Sequence, residues 1–522
     1  MADKSSTWVN ESAVIAERPP GMQTHSVVPP ATLPASGVAR TMLIVAALSV
    51  CTALVLIATP VSLAWESLRI IGVAIVLLAI LRFRVGRLKP VFLIWWLVLV
   101  SESIFFREAA GGDSVTEAFH GRFPVAAYSE VLFWILCLVA ALLCSEQVRG
   151  YFSRLFAGDY KWVTLFALIC LASCVYAPRS LFALAWALKL ALVVLVLVEC
   201  SVQIHDFRNI VYFLRATLWA YAIVVFVPVI IAMLRSEMFD EEGRMSTVVS
   251  PNALSPNAGV VLLLALTLFS KRKGEGLHKS AILLGIVACV IMILAGSKTG
   301  ILAAIFAGTL FYLLRGRFGS AFSYVAAGVI LVIVLALSTP LGDYLHAYRE
   351  GGGADSFSGR TLLWSEVMPA IRQKPILGHG YLASEFAVFQ VNAVRWAAPH
   401  LHNGFLEALY NNGLIGFVPI LAICIIIPRN LYRALRRTHL TDPVYRISAG
   451  CLSLYAFLLI NGFFNSSFGG KASAPFMLLL SLVVISHKLL QVASQTQKDH
   501  AESRVTYTLA KERSPDISWS LR

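Results

Sequence analysis

The feature that most constrains this chain is the recurrence of apolar runs long enough to cross a bilayer. A helix needs about 20 mostly apolar residues to span the hydrocarbon layer. The sequence offers fourteen such runs, near 41–59, 66–82, 90–106, 128–144, 161–177, 181–199, 209–234, 254–270, 280–296, 299–315, 320–339, 404–427, 447–464 and 473–491. Of the 522 residues, 58% are hydrophobic and 14% charged, where an average soluble chain carries about 25% charged residues. The expected fold class is an all-α polytopic membrane protein with about 12–14 transmembrane helices and one large loop between the eleventh and twelfth.

The formal net charge of +14 does not point to nucleic acid, because the basic residues sit in short clusters between the spans, where topology accounts for them. Counting Lys and Arg in alternate short loops gives nineteen on one side, from Arg82 to Arg446, and seven on the other, from Arg107 to Lys471. The richer side faces the cytoplasm, which places both termini there and the long polar loop outside. The plan is therefore a disordered tail over 1–40, a bundle over 41–339, an outer loop over 340–403, further spans over 404–491 and a cytoplasmic tail over 492–522. The tail over 1–40 is polar and rich in Pro and Ser, too poor in apolar surface to fold alone. The nine cysteines all fall in or beside apolar runs and show neither a disulfide framework nor zinc-like spacing.

The long loop holds four of the eleven histidines, His346, His379, His400 and His402, with Arg349, Arg360, Arg372, Lys374 and Arg395. At the entrance of the next span, His402 could accept a proton near neutral pH, or merely anchor the helix that Asn403 caps. Glu407, five residues on, either faces the same pocket through an irregular helix entry or pairs with a neighbouring span. Arg360 and Trp364 are spaced i and i+4 on a short helix from about Thr361 to Arg372, kinked by Pro369. They suit a phosphate with a stacked sugar, and equally a helix lying on the bilayer. Lys298 sits in a tight hairpin, Gly296-Ser297-Lys298-Thr299-Gly300, as a fixed cation or a snorkelling one. The loop over 235–257 carries Arg244, the acidic run Asp240-Glu241-Glu242 and Pro256-Asn257. Three acids in a row can take a divalent metal but are usually just solvated, and no metal site is expected. Lys189, midway along its span, calls for a carboxylate such as Glu102 or a wet cavity.

Four of these blocks, taken in order, resemble the O-antigen ligase and Wzy-type polysaccharide polymerase superfamily. His402-Asn403, nine residues, Gly413, two residues and Gly416 is similar to the family signature of His, then Asn, Ser or Gln, nine residues, Gly, two residues, and Gly, Thr or Tyr. Gly359-Arg360-Thr361-Leu362-Leu363-Trp364 and Pro375-Ile376-Leu377-Gly378-His379-Gly380 resemble its Gly-Arg-x-x-x-Trp and Pro-x-x-Gly-x-Gly blocks. Gly243-Arg244 before Pro256-Asn257, and Ser297-Lys298-Thr299, resemble two earlier blocks at the outer edge.

The resemblance implies a C-type glycosyltransferase-like fold in the bacterial inner membrane, and metal-independent, cofactor-free glycosyl transfer at the periplasmic face. The donor would be an undecaprenyl-diphosphate-linked glycan and the acceptor a glycan or lipid hydroxyl. Membrane lipids and chain-length or export proteins would be the further partners. His402 is then the expected general base, with Arg244, Lys298 and Arg360 on the diphosphate. Asn403, Trp364, His379, Glu407 and Asn257 are expected to support them. A lysine at 298, where many ligases of the family carry arginine, resembles the exopolysaccharide polymerase branch. Polymerisation of lipid-linked repeat units is the first expectation, ligation to lipid A-core or protein the second. A lipid-linked glycan flippase fits less well, because Lys189 stands nearly alone at mid-depth.

Overall fold

The computed structural model of the chain describes residues 90–104, 134–135, 137, 151–235, 245, 251–269, 279–338, 360–387, 401–465 and 468–513. All of these lie in one compact unit, Ala53–Arg522. The spans expected at 41–59 and 66–82, the N-terminal tail, and Arg244, His346, His400, Arg349 and Arg395 lie outside the described residues.

Apart from an isolated bridge at Met245, the described secondary structure is helical. We label the helices α1 (Pro90–Ile104), α2 (Tyr151–Leu155), α3 (Tyr160–Ser173), α4 (Ser180–Gln203), α5 (Phe207–Arg235), α6 (Pro251–Phe269), α7 (Lys279–Leu294), α8 (Lys298–Leu314), α9 (Phe318–Ser338), α10 (Arg360–Gln373), α11 (Gly404–Arg437), α12 (Pro443–Phe464) and α13 (Ala474–Arg513). Among the described residues, five helices (α4, α5, α11, α12 and α13) contain runs long and apolar enough to cross a membrane. Five more apolar helices are shorter, at 10–17 residues, and include the turns on either side of the Lys298 hairpin. Helix ends follow local chemistry. Asp442 caps α12 through Val444 N at 2.7 Å, with Pro443 next in line. Gly296 and Gly316 leave α7 and α8 with φ of +65° and +64°, the left-handed exit that glycine takes without strain.

The packing shows which helix ends share a side. A Cβ on Gly259 would lie 2.4 Å from Phe457, and one on Gly450 would lie 2.2 Å from Thr267. Helices α6 and α12 therefore run antiparallel in close contact, and the start of α6 meets the end of α12. A Cβ on Gly300 would lie 2.5 Å from Ser255 Oγ, which brings the start of α8 to the same end. Gly404 N donates to Asn465 O at 3.1 Å and adds the start of α11. At the opposite end Tyr445 OH donates to Leu314 O at 2.7 Å, joining the start of α12 to the end of α8. Among the described helices, α6, α8 and α11 thus start at the end where α12 finishes.

That opposite end also carries a polar join. Asp159, ahead of α3, accepts from Asn430 Nδ2 at 2.8 Å and from His487 Nδ1 at 3.1 Å, and pairs with Arg429 at 3.3 Å. The His487 hydrogen bond, aided by Asn430 and Arg429, holds the Asp159 carboxyl below its ordinary value of 3.8 in spite of partial burial. A lowered folded-state pKa means the contribution is complete above that ordinary value and is lost as pH falls through the lowered one. Asp159→Asn is expected to reduce the unfolding temperature at pH 7, with the deficit shrinking towards pH 3. A deficit constant across that range would remove the ion pair as its cause.

Lys189 is fully buried in α4, with its ammonium 4.7 Å from the ring centre of Trp134 and 4.6 Å from that of Trp186. Two indole faces thus line the position for which the sequence suggested a carboxylate or a wet cavity.

Candidate functional site

The segment from Leu401 to Gly416 forms the centre of the site. Asn403, 4% exposed, caps α11: its Oδ1 accepts from Phe405 N at 3.0 Å and Leu406 N at 3.1 Å. Just before it, His402 is half-buried with φ of +50°, one of two non-glycine residues in the left-handed region among those described. Such a backbone costs about 1–3 kcal/mol in a non-glycine residue and persists only where the surroundings enforce it. Here they do. Gly404 is pressed on Phe468, so that a Cβ would lie 2.5 Å from Phe468 N. On the preceding side, Trp364 Nε1 donates to Leu401 O at 3.0 Å.

Helix α10 holds this entrance. Leu363, Val367 and Ile371 pack with Leu401, Tyr410 and Ala383 in one apolar cluster, so the helix carrying Arg360 and Trp364 lies against the first turns of α11. Its hydrophobic face is turned inward on the protein, rather than onto a bilayer surface. The helix runs on past Pro369 to Gln373.

Within α11 the helix breaks at Gly413, with φ +58° and ψ −162°. The Pro375–Gly380 segment crosses the break and takes up its backbone groups. His379 N and Gly380 N donate to Tyr410 O and Asn411 O, both at 2.8 Å. Leu414 N and Ile415 N donate to Pro375 O at 2.9 Å and Ile376 O at 3.2 Å. Four interior helix groups that a break would leave unsatisfied are thereby paired. The glycines of both motifs make the crossing possible, since a Cβ on Gly378 would lie 2.5 Å from Asn411 O. His379 is part of this crossing: Nε2 donates to Ala370 O at 2.9 Å and the ring stacks on Tyr410 at 4.5 Å.

The two asparagines before the break are buried and bonded to other elements. Asn411 accepts from Ser384 N at 2.8 Å and donates to Gly469 O at 3.2 Å. Asn412 accepts from Ser173 Oγ at 2.9 Å. Glu407, 1% exposed, points towards the loop after α12, where a Cβ on Gly470 would lie 2.9 Å from its Oε2. Next along that loop, Lys471 Nζ pairs with Glu385 at 2.9 Å. Tyr381 OH donates to Gly470 O at 3.1 Å, and burial pushes this phenol well above its ordinary value, so it stays neutral.

Of the residues expected from the sequence, Lys298 is exposed at the start of α8 and Asn257 is buried in the second turn of α6. Both lie at the same end of the bundle as His402. Asn257 Oδ1 has no hydrogen-bond partner among the described residues. Arg244 lies outside them, but the next residue, Met245, donates its N–H to Leu294 O at 2.7 Å, beside the Lys298 hairpin. Among the described residues, no three His, Cys, Asp or Glu side chains come together. Residues 468–473, which pack on Gly404, Ala408 and Glu407, entered the sequence reading only through Lys471 in the loop count; the further signal was Gly469-Gly470, with φ of +75° at Gly469.

No curated protein gives a significant match to the chain. Residues 281–421 match the Wzy_C family model, described as O-antigen ligase. The match runs from α7 through the hairpin, α10 and the crossing to the broken α11, so this part of the chain is similar to the O-antigen ligase family.

Proposed function

We propose that the protein is a membrane glycosyltransferase that joins undecaprenyl-diphosphate-linked repeat units into a polysaccharide at the periplasmic face. The observation that supports the reading is that Asn257, Lys298 and the Arg360 helix lie at the same end of the bundle as His402, whose backbone is strained. His402 takes the proton of an acceptor hydroxyl. The acceptor oxygen bonds to the anomeric carbon as the bond from that carbon to the diphosphate oxygen breaks, and the diphosphate leaves with the electron pair. In this reading Lys298 and Arg360, with Arg244 of the earlier sequence block, stabilise the charge that grows on this leaving group, where fixed cations act most strongly. The buried Asn257 Oδ1 is suited to accept from a bound hydroxyl, since leaving it unpaired costs about 1–3 kcal/mol.

Trp364 and His379 serve this site by fixing its walls. Trp364→Phe keeps the ring and loses the indole N–H bond to Leu401 O, next to His402. Product formation should fall roughly tenfold to a hundredfold at unchanged membrane insertion. Unchanged turnover would show that this tether does not position His402.

A ligase acting on lipid A-core or a protein acceptor is the second reading, favoured by the description of the matching family as O-antigen ligase. Deleting the gene separates the two. Loss of long chains with retention of single lipid-linked repeats supports the polymerase, whereas long lipid-linked chains accumulating without transfer support the ligase.

A further inference from the structure

The corner where α10 turns into the crossing carries two cations that the proposed reaction does not use. Residues 372–377 are exposed throughout, from Arg372 and Lys374 to Ile376 and Leu377. Neither Arg372 nor Lys374 makes a hydrogen bond or an ion pair with another described residue. The local backbone does not call on them either. Ala370 O is taken by His379 Nε2 at 2.9 Å and Ile371 O by Lys374 N at 3.3 Å, so neither side chain is needed to close α10. Glu366, the acid nearest in sequence, lies six positions before Arg372, nearly two turns away.

The same corner is stitched to an apolar track. Pro375 O and Ile376 O accept from Leu414 N and Ile415 N, just past the break in α11. From there Leu414, Val418, Leu421 and Ile425 repeat along one face of the helix, and all four are exposed. Between Leu414 and Arg429, its next charged residue, α11 rises about 22 Å, short of the about 30 Å of hydrocarbon that a span crosses. Ile376 and Leu377 continue the apolar surface beyond that stretch and bring it up to the two cations. On the inner side of the corner, Ile371 packs in one cluster with Leu401, the neighbour of His402. A ligand with a diphosphate at one end and a long hydrocarbon chain at the other matches both halves, and the candidate base lies next to them. We propose that Arg372 and Lys374 receive the diphosphate of the lipid-linked donor as it arrives from the bilayer, with its polyprenyl chain lying over Ile376, Leu377, Leu414 and Val418. The identity of the lipid rests on the glycosyl-transfer reading. The role is one of capture at the side of the bundle, before the leaving-group charge develops.

The test uses the purified full chain in neutral detergent, titrated with undecaprenyl diphosphate or phosphatidylglycerol and read by native mass spectrometry, beside a transfer assay on a purified lipid-linked repeat unit. Undecaprenyl diphosphate should be retained about tenfold more strongly than phosphatidylglycerol. Arg372→Gln with Lys374→Gln should remove that preference and raise the KM for the lipid-linked unit about tenfold at unchanged kcat and unfolding temperature. Arg433→Gln with Arg436→Gln, exposed towards the other end of α11, should leave both readouts at the wild-type level. Equal retention of the two lipids overturns the docking surface, as does an equal loss in the Arg433 and Arg436 variant, which would mean bulk charge alone. Full displacement by millimolar inorganic pyrophosphate would overturn the part given to the polyprenyl chain. Transfer whose KM is unmoved by the Arg372 and Lys374 substitutions removes the surface and leaves the reaction standing. Selective binding through these residues with no glycan transferred keeps the surface and removes the glycosyl-transfer reading.

Discussion

Replacing His402 by alanine is expected to lower glycan transfer by roughly 10²–10⁴-fold, the range that a positioned general base contributes, while the protein still inserts and folds. Two features separate this from an ordinary interfacial histidine. The residue is held with φ of +50°, and its neighbours on both sides are tied to other elements: Leu401 to Trp364, Asn403 to the first turn of α11. Alanine meets the same backbone strain and keeps both ties, so the substitution removes the imidazole and its own contacts while leaving the backbone path in place. The measurement is polymer formed per inserted protein, from a purified lipid-linked repeat unit. Product at the wild-type level would eliminate His402 as the base and, with it, the proposed mechanism.

Gly413→Ala should have an effect of similar size on product for a different reason. A Cβ there would lie 2.2 Å from Ile376 O, and ψ of −162° with positive φ is a region reserved almost wholly for glycine. Backbone strain and collision together should destabilise the protein by about 3 kcal/mol or more. The expected signature is a lower unfolding temperature and faster proteolysis of the Pro375–Gly380 crossing, accompanied by loss of transfer. His402→Ala should show the loss of transfer alone. If Gly413→Ala melted like the wild type, the glycine would not be holding the crossing.

Much of the site was legible locally. The cap at Asn403 could be read because an N-cap acts within three positions of itself, whereas the spacing of His402, Gly413 and Gly416 was read from its resemblance to a family signature. The short helix carrying Arg360 and Trp364 was likewise visible, and the structure gives it as Arg360–Gln373. What the glycines accommodate was not legible. Gly378 and Gly413 lie 35 positions apart, and only the folded chain shows that each is small because the other's backbone passes over it. Asn411 and Asn412 read as polar residues in an apolar run, and their partners Ser384, Gly469 and Ser173 come from three other elements.

The sequence by itself determined that this chain is built of apolar helices of membrane-spanning length, and which short blocks between them carry polar residues. Apolar length and the placement of lysines and arginines act residue by residue against the bilayer, so no partner helix is needed to read them. The tertiary structure alone decided which helix ends meet, because antiparallel contacts such as Gly259 with Phe457 and Thr267 with Gly450 depend on side-chain fit between segments some 180 to 200 positions apart. That fit places Lys298, Asn257 and the Arg360 helix at the same end as His402, and close packing of this kind is selected by shape rather than by any local pattern.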